Sequence, residues 1–220
     1  MRVLIACEES QEVCKAFRAR GHEAYSCDLQ ACSGGHPEWH IMHDAVEIAY
    51  LGIWDLMIAH PPCTFFAAPG MHYLKTKPER MGQLQSSFEF VKKLWSAPIT
   101  RIAIENPIGW LNTNWRKPAQ KIQPFYFGDN ERKTTCLWLK GLSRLNGLHE
   151  VAFNIDHYEP KPDGYTKPGK DGYSRGIYFC GRINSKHRGD HKKAAKLKSK
   201  TFPGIARAMA EQWSEDLTKL

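Results

Sequence analysis

The chain has 220 residues, of which 42% are hydrophobic, and it carries a formal net charge of +8. This composition is ordinary for a globular protein and excludes an intrinsically disordered one, and no apolar run approaches the ~18–20 residues that span a bilayer. Glu8 and Glu9 interrupt the apolar start that a signal peptide would need. We therefore expect a soluble cytoplasmic protein whose seven cysteines are reduced rather than paired in disulfides.

Strands and helices alternate over the first 140 residues. Apolar runs predict strands at 2–6, 23–27, 54–59, 101–104 and 134–139, and helical spacing predicts helices at 10–20 and 78–96. We expect Ser10 to cap the first helix and Gly21 to end it. This alternation indicates an α/β fold with a mostly parallel sheet, helices on both faces, and ligands beyond the carboxyl ends of the strands.

The composition changes after residue 140. Gly, Pro, Tyr and Lys dominate to about residue 200, which predicts loops and short strands, and an amphipathic helix follows at 203–217. Residues 161–200 hold twelve Lys and Arg but only three acidic residues, so the positive charge is concentrated there. A localised positive field fits either a surface that faces a polyanion or a solvated basic segment, and charge alone does not decide between them.

Two short motifs carry side chains with useful chemistry. His60-Pro-Pro-Cys63 follows a predicted buried strand, and the two prolines hold Cys63 on a rigid loop, although a structural cysteine would fit the same pattern. Glu105-Asn106 follows the next strand, where a partly buried carboxyl group can be held protonated as an acid or can simply belong to a turn. Because both motifs follow strands of one sheet, we expect Cys63 and Glu105 at the same edge.

Together these motifs resemble the cytosine-5 DNA methyltransferases, in particular the compact phage-encoded members, over about residues 1–139 and 201–216. The resemblance implies a Rossmann-like class I methyltransferase sheet with a small basic recognition insertion. It also implies that Cys63 adds to carbon 6 of cytosine, that Glu105 contacts N3 and the exocyclic amine, and that Arg132 or Lys133 contacts O2. The methyl group would pass from S-adenosylmethionine to carbon 5.

The resemblance further implies a cofactor site. The residues expected to bind S-adenosylmethionine are Glu8, Glu9, Ser10, Asp28, Asp44 and Pro61. Asp28 and Asp44 stand where the family contacts the ribose and the adenine amine, although Asp28 fits a loop carboxylate and Asp44 a helix N-cap equally well. The family's glycine-rich loop is here Ala6-Cys-Glu-Glu-Ser-Gln11, without glycine. We therefore expect Ser10 and the following helix N-terminus to receive the methionine carboxylate.

The implied organisation has three parts: a catalytic, cofactor-binding domain at 1–140, a basic target-recognition segment at 141–200, and a C-terminal helix at 201–220 that packs back on the catalytic domain. The expected partner is double-stranded DNA with its target cytosine flipped out, bound by a monomer in the cytoplasm of the host cell if the chain is phage-encoded. The side chains expected to contact phosphates are Arg175, Arg182, Lys186, Arg188, Lys192 and Lys193.

Two other functions stay open on the sequence. The small recognition segment fits an enzyme that modifies C5 of a free pyrimidine nucleotide, and the loop without glycine fits a catalytically decayed methyltransferase fold that only binds DNA. A Cys/His-rich patch shows none of the spacings of common zinc sites; its members are Cys27, Cys32, His36, His40 and His43. We therefore expect no metal, and we place Trp39 beside the adenine of the cofactor instead.

Overall fold

The computed structural model describes residues 1–67, 79–148 and 179–215. The strands are β1 (Arg2–Ala6), β2 (Glu23–Asp28), β3 (His40–Met42), β4 (Leu56–Ala59), β5 (Arg101–Pro107), β6 (Gln120–Ile122) and β7 (Thr135–Lys140). The α-helices are α1 (Glu12–Ala19), α2 (Ala45–Ala49), α3 (Glu79–Trp95), α4 (Trp110–Asn114), α5 (Phe179–Lys186), α6 (His191–Ser199) and α7 (Pro203–Glu215). No helix in these ranges is long and apolar enough to cross a membrane.

One sheet holds the seven strands in the order β3-β2-β1-β4-β5-β7-β6. The first five strands are parallel, whereas β7 runs antiparallel to both β5 and β6. The carboxyl ends of β1–β5 and the amino end of β7 therefore lie at the same edge of the sheet, which we call the carboxyl edge.

Successive residues of the strands point to opposite faces, and each face has its own core. Val3 and Ile5 pack with buried residues of α1 and α7 on one face, whereas Leu4 and Ala6 pack with buried residues of α2 and α3 on the other. The burial of complete strands such as β4 explains their unbroken apolar sequence. The predicted α/β fold, a Rossmann-like sheet with helices on both faces, is confirmed.

Several local predictions were wrong. Ser10 does not cap the first helix: α1 begins at Glu12, and Gln11 occupies the N-cap position in a left-handed conformation without a side-chain cap. Gly21 does follow the helix end with a φ of 80°, as expected. In the basic segment, residues 141–148 form a loop as predicted, whereas the helices α5 and α6 occupy most of 179–199 in place of the predicted loops and short strands. Residues 149–178 of that prediction lie outside the described residues.

Candidate active site at the carboxyl edge

The sheet register brings the two predicted motifs side by side. Ala59, the last residue of β4, pairs with Ile104 of β5, so His60 and Glu105 are the next residues on neighbouring strands. On the other side of β5, Pro107 pairs with Thr135 at the start of β7. Lys133 precedes that strand by two positions and thus reaches the same edge. The loop that carries Cys63, the carboxyl group of Glu105 and the amine of Lys133 are therefore all presented at the carboxyl edge.

Hydrogen bonds fix the loop that carries Cys63. The side-chain amide of Asn106 donates to the carbonyl oxygen of Pro61 at 2.8 Å, and the backbone N–H of His60 donates to the carbonyl oxygen of Ala6 at 2.9 Å. Beyond the cysteine, the N–H groups of Phe66 and Ala67 both donate to the carbonyl oxygen of Cys63, at 3.0 and 2.9 Å. The loop is thus held at both ends, while Cys63 itself remains exposed to solvent.

A glycine allows the chain after β5 to lie directly on this loop. Gly109 forms an isolated antiparallel bridge with Ala67, and the next residue, Trp110, donates its N–H to the carbonyl oxygen of Phe66 at 2.8 Å. A Cβ atom at Gly109 would overlap that same carbonyl oxygen. The residue at this position must therefore lack a side chain for the two segments to approach so closely.

Glu105 is the acidic centre of the site. Its Oε2 accepts a hydrogen bond from Nδ1 of His60 at 3.2 Å, and its side chain is 16% exposed. Burial acts to raise the pKa of this carboxyl group, but the hydrogen bond from His60 and the positive charge of Lys133 together hold the pKa below its ordinary value. Of the alternatives that the sequence left open, the protonated carboxyl group is not the one found, because the lowered pKa leaves Glu105 ionised at neutral pH.

The pKa of the Cys63 thiol is shifted in the opposite direction, above its ordinary value. Although the residue is exposed, partial burial of its sulfur and the negative charge of Glu105 raise the pKa of the thiol, and the charge of Lys133 opposes this rise. Cys63 is thus a protonated thiol at rest. The charges of Glu105 on β5 and of Lys133 just before β7 therefore both affect the pKa of Cys63, in opposite directions.

The two predicted basic residues differ in their surroundings. Nζ of Lys133 donates to the carbonyl oxygen of Lys198, at the end of α6, at 2.8 Å, and it lies 5.9 Å from the ring centroid of Phe202. The carbonyl oxygen of Arg132 accepts from the N–H of Phe179, the first residue of α5, at 3.1 Å. Both contacts join the start of β7 to the basic helices, and it is Lys133 whose charge acts on Cys63 and Glu105.

A cavity of about 600 Å³ opens beside the loop of Cys63. Three of the residues predicted to bind the cofactor, Asp28, Asp44 and Pro61, line its wall. Sequence reasoning missed the other lining residues, which are Cys7, Leu29, Gln30, His43, Ala45, Pro62, Ser86, Ser87 and Phe90. The small polar pair Ser86-Ser87 in the predicted long helix was the one available signal that this helix faces a ligand rather than only the core.

Asp44 lines this cavity and also caps the helix α2. Its Oδ1 accepts the N–H of Val46 at 2.7 Å and so caps α2, as the N-cap alternative predicted. Asp28 at the end of β2 similarly accepts the N–H of Gln30 at 2.9 Å. Because an ionised carboxylate has about four acceptor positions, each residue can accept further hydrogen bonds from a ligand.

Glu8, Glu9 and Ser10 are not among the residues that line this cavity, although Cys7 of the same loop is. The carboxylate of Glu8 accepts the N–H groups of Val13 and Cys14 at 2.7 and 3.2 Å, and so occupies the N-terminus of α1. The expectation that these amides receive a ligand carboxylate is therefore wrong. Burial raises the pKa of Glu8, and the nearby His60 opposes that rise.

Glu9, in the same loop, forms an ion pair with Lys196 of α6 at 3.5 Å. Its side chain is only 10% exposed, and neither carboxylate oxygen has a hydrogen-bond partner in the part of the chain that the structure describes. Together with the bond from Lys133 to Lys198, this ion pair places α6 against the carboxyl edge.

Cys27 and the three histidines of the Cys/His-rich patch are engaged in other contacts. Sγ of Cys27 donates to the carbonyl oxygen of His43 at 3.4 Å, and His40 contacts Ser26 through Nδ1 at 2.8 Å. The ring of His36 stacks on Trp39, with centroids 3.7 Å apart. Within residues 1–67, 79–148 and 179–215, no three His, Cys, Asp or Glu side chains group as metal ligands do. Trp39 packs against the α1 face and not against the cavity, which corrects its expected place beside the adenine.

The predicted phosphate-binding residues fall on α5, α6 and their connection. Lys186, Arg188, Lys192 and Lys193 are exposed there. Arg182 lies within α5, but its side chain is not among those described, and Arg175 lies outside the described residues. These helices form what we call the basic hairpin (179–199), which α6 joins to the carboxyl edge.

Comparisons with known proteins include a distant likeness to a solved structure. No protein-family model matches the chain, and no curated protein matches it. The chain is similar to the crystal structure of a candidate DNA modification methyltransferase encoded within a prophage of E. coli, with 14% sequence identity and a TM-score of 0.40. The match covers 73% of this chain and 51% of the other, so this chain spans about half the length of that protein. At this level of identity, the likeness concerns the fold alone.

Proposed function

We propose that this chain is a DNA cytosine-5 methyltransferase in which Cys63 is the nucleophile. The observation that carries the proposal is the common position of an exposed cysteine, an ionised glutamate and a lysine at one sheet edge. A cavity of about 600 Å³ beside them has the size of a cofactor or substrate site. A reaction that needs a nucleophile, a hydrogen-bonding carboxyl group and a cation around one planar ring fits this arrangement.

The proposed chemistry begins with addition to the pyrimidine ring. Sγ of Cys63 gives its proton to water and forms a bond to carbon 6, and the electrons of the C5–C6 double bond make carbon 5 nucleophilic. The ionised carboxylate of Glu105 accepts from the exocyclic amine and must take up a proton before it can donate to N3, and Lys133 faces O2, where negative charge develops in the adduct. Once carbon 5 is methylated, its proton passes to water, the electrons of that C–H bond re-form the C5–C6 double bond, and Sγ leaves carbon 6 as a thiolate.

The cavity fits the adenosyl part of S-adenosylmethionine. Asp28 and Asp44 offer acceptors for hydroxyl and amine groups, and Leu29, Pro61 and Phe90 offer apolar surface for a purine ring. When bound, this cofactor supplies the methyl group. At its methionine end the fit is weaker, because Glu8 already occupies the amides of α1. We therefore assign the binding of the adenosyl group to Asp28, Asp44 and Pro61, with Glu8, Glu9 and Ser10 outside the direct contact.

DNA is the proposed substrate because the positive side chains sit next to the nucleophile. The basic hairpin contacts the carboxyl edge through Lys196 and through the carbonyl of Lys198. Its exposed Lys186, Arg188, Lys192 and Lys193 can neutralise phosphates while a flipped cytosine enters the edge. A free nucleotide would make little use of this charge, which favours a polymer over the nucleotide alternative.

One observation favours a second candidate, a DNA-binding protein on a decayed methyltransferase scaffold. The carboxylates of Glu8 and Glu9 lie in the loop after β1, where the resemblance implies the methionine carboxylate of the cofactor. Calorimetry with S-adenosylmethionine separates the candidates, because the decayed scaffold binds DNA without binding the cofactor. Comparison of turnover on dCMP and on duplex DNA tests the nucleotide alternative.

The experiment that tests the proposal combines methylation mapping with covalent trapping. Bisulfite sequencing of DNA from cells that express the wild-type chain should show protected cytosines, which Cys63→Ser abolishes. Duplex DNA with 5-fluorocytosine should form a covalent adduct with wild type, because the fluorine on carbon 5 cannot leave as a proton does. Cys32→Ser is the matched control, since it removes another partly exposed thiol, one in the loop after β2 and not in the loop after β4. Cofactor binding without adduct or methylation on any DNA would contradict the proposal.

A further inference from the structure

His60 occupies the junction between the cofactor side and the base side of the proposed active site. It follows β4 directly, and its side chain is only 7% exposed. Its backbone N–H donates to the carbonyl oxygen of Ala6 at the end of β1, and its Nδ1 lies 3.2 Å from Oε2 of Glu105. The residue thus bonds to the strands on either side of β4.

The partner of Nδ1 determines where the imidazole carries a hydrogen. Because Glu105 is ionised, its Oε2 is an acceptor, and Nδ1 must donate. Nε2, at the other side of the ring, is buried and has no hydrogen-bond partner among residues 1–67, 79–148 and 179–215. A buried polar nitrogen without a partner is costly, so a histidine at this position is not explained by packing alone.

We propose that His60 is a positioning residue for the methyl transfer, one whose Nδ1–H fixes the Glu105 carboxylate in a single orientation toward the entering cytosine. This inference rests on the proposed function, since it gives Glu105 its task at the base. His60 acts through Glu105 and does not itself touch the ring. A carboxylate held by one oxygen presents the rest of the group in a fixed direction, which is what alignment with N3 and the exocyclic amine requires.

The charged and titratable groups around this pair come from four elements. Glu105 is faced by His60 after β4, by Cys63 on the same loop, and by Lys133 and Thr135 at the start of β7. His60 is faced by Glu105 and, from the loop after β1, by Glu8. Removal of the imidazole takes away the hydrogen bond that chiefly opposes the effect of burial, so the pKa of Glu105 should rise.

Three variants test whether His60 acts as a hydrogen-bond donor to Glu105 or only fills space. His60→Asn retains an N–H donor near the place of Nδ1, whereas His60→Gln puts its amide farther along the side chain, and His60→Ala has no donor. If His60 only fills space, the Gln variant should behave as well as the Asn variant or better. If the donor at Nδ1 matters, Asn alone should restore function. Urea unfolding of each variant checks that it remains folded.

The first measurement needs neither cofactor nor DNA. In the full chain labelled with ¹³C, the side-chain carboxyl signal of Glu105, assigned by its absence in Glu105→Gln, is followed as a function of pH. The apparent pKa of Glu105 should rise in His60→Ala and in His60→Gln, and return toward the wild-type value in His60→Asn. An unchanged titration in His60→Ala would overturn the inference, whatever the enzyme's activity.

The second measurement uses the rate of adduct formation on duplex DNA with 5-fluorocytosine, with S-adenosylmethionine present. In His60→Ala this rate at saturating DNA should fall roughly tenfold to hundredfold, with little change in the DNA concentration that gives half the maximal rate. His60→Asn should recover most of the loss. If the wild type forms the covalent adduct and His60→Ala forms it equally fast, the proposed role of His60 is refuted. A wild type that never traps refutes the proposed function instead, and the titration still decides whether His60 controls Glu105.

Discussion

The side-chain amide of Asn106 donates a 2.8 Å hydrogen bond to the carbonyl oxygen of Pro61, and this bond ties the strand end that carries Glu105 to the loop that carries Cys63. Asn106 is 1% exposed, so no solvent competes for the bond. The relative position of the cysteine and the glutamate thus depends on a buried side chain that has no chemical part in the proposed reaction.

Asn106→Ala should weaken both the fold and the site. The carbonyl oxygen of Pro61 loses a buried donor, which should lower the free energy of unfolding by about 1–3 kcal/mol in a urea titration. Adduct formation on 5-fluorocytosine DNA should slow at the same time, because the loop is no longer held. The control is Asn114→Ala, an exposed residue whose bonds are confined to α4. Equal stability of the two variants would show that the bond to Pro61 is unimportant.

Two glycines offer a matched test of the contact that closes the loop of Cys63. Gly109→Ala should destabilise the chain by about 1–3 kcal/mol, because the new Cβ must push away the carbonyl of Phe66. Gly82→Ala, inside α3 with nothing within 4 Å of the new methyl group, should instead stabilise it by about 0.5–1 kcal/mol. Thermal or urea unfolding gives both values. If both changes had the same sign, the steric account of Gly109 would fail.

Lys133→Met should make Cys63 less reactive. The positive charge of Lys133 lowers the pKa of the thiol, so its removal should raise that pKa and reduce the thiolate fraction at any pH below it. The rate of iodoacetamide alkylation at Cys63, followed by mass spectrometry of its peptide, should therefore be lower at pH 8 and should rise only at higher pH. Lys121→Met, an exposed lysine on β6, should leave the profile of Cys63 unchanged. A profile that moves toward lower pH in Lys133→Met would contradict the electrostatic assignment.

The common position of Cys63 and Glu105 at one edge of the sheet could be predicted from the sequence, because each residue follows an apolar run that predicts a buried strand. Buried parallel strands have continuous apolar sequences, and consecutive strands of such a sheet often neighbour each other. The prolines after β4 and the Glu-Asn pair near the end of β5 then mark the same edge. Asp28 at the cavity follows from the same rule for strand ends, whereas Asp44 was proposed only from the family resemblance, because β3 was not predicted.

Other features depend on contacts that no local pattern contains. Glu8 looked like a loop residue near a ligand, yet its carboxylate serves as the cap that Ser10 was expected to provide. The antiparallel direction of β7 is set by its connection and not by its composition. The helices α5 and α6 were missed because Gly181 and Gly189 and the surrounding lysines favoured loops, although the Lys- and Ala-rich stretch of α6 has good helix propensity.

The salt dependence of DNA binding tests whether the basic hairpin contacts phosphates. Lys192 and Lys193 are adjacent and exposed near the start of α6, and the chain contains a matched pair, Lys92 and Lys93, in the last turn of α3. That turn leads into the beginning of β5 and thus lies at the edge of the sheet opposite the site. Both pairs are adjacent lysines in α-helices, but they lie at opposite edges of the sheet, so a comparison of the two double variants tests the position of the charge.

Replacement of both Lys192 and Lys193 by Ala should weaken binding to duplex DNA at low salt and make the plot of log K against log salt shallower. Each lost phosphate contact reduces the slope by about 0.9, so the double variant should lose up to roughly 2 units of slope. Replacement of Lys92 and Lys93 removes the same charge from the whole protein and should change the slope little. If both double variants reduce the slope equally, the attraction comes from net charge, and the basic hairpin is not the DNA-binding surface.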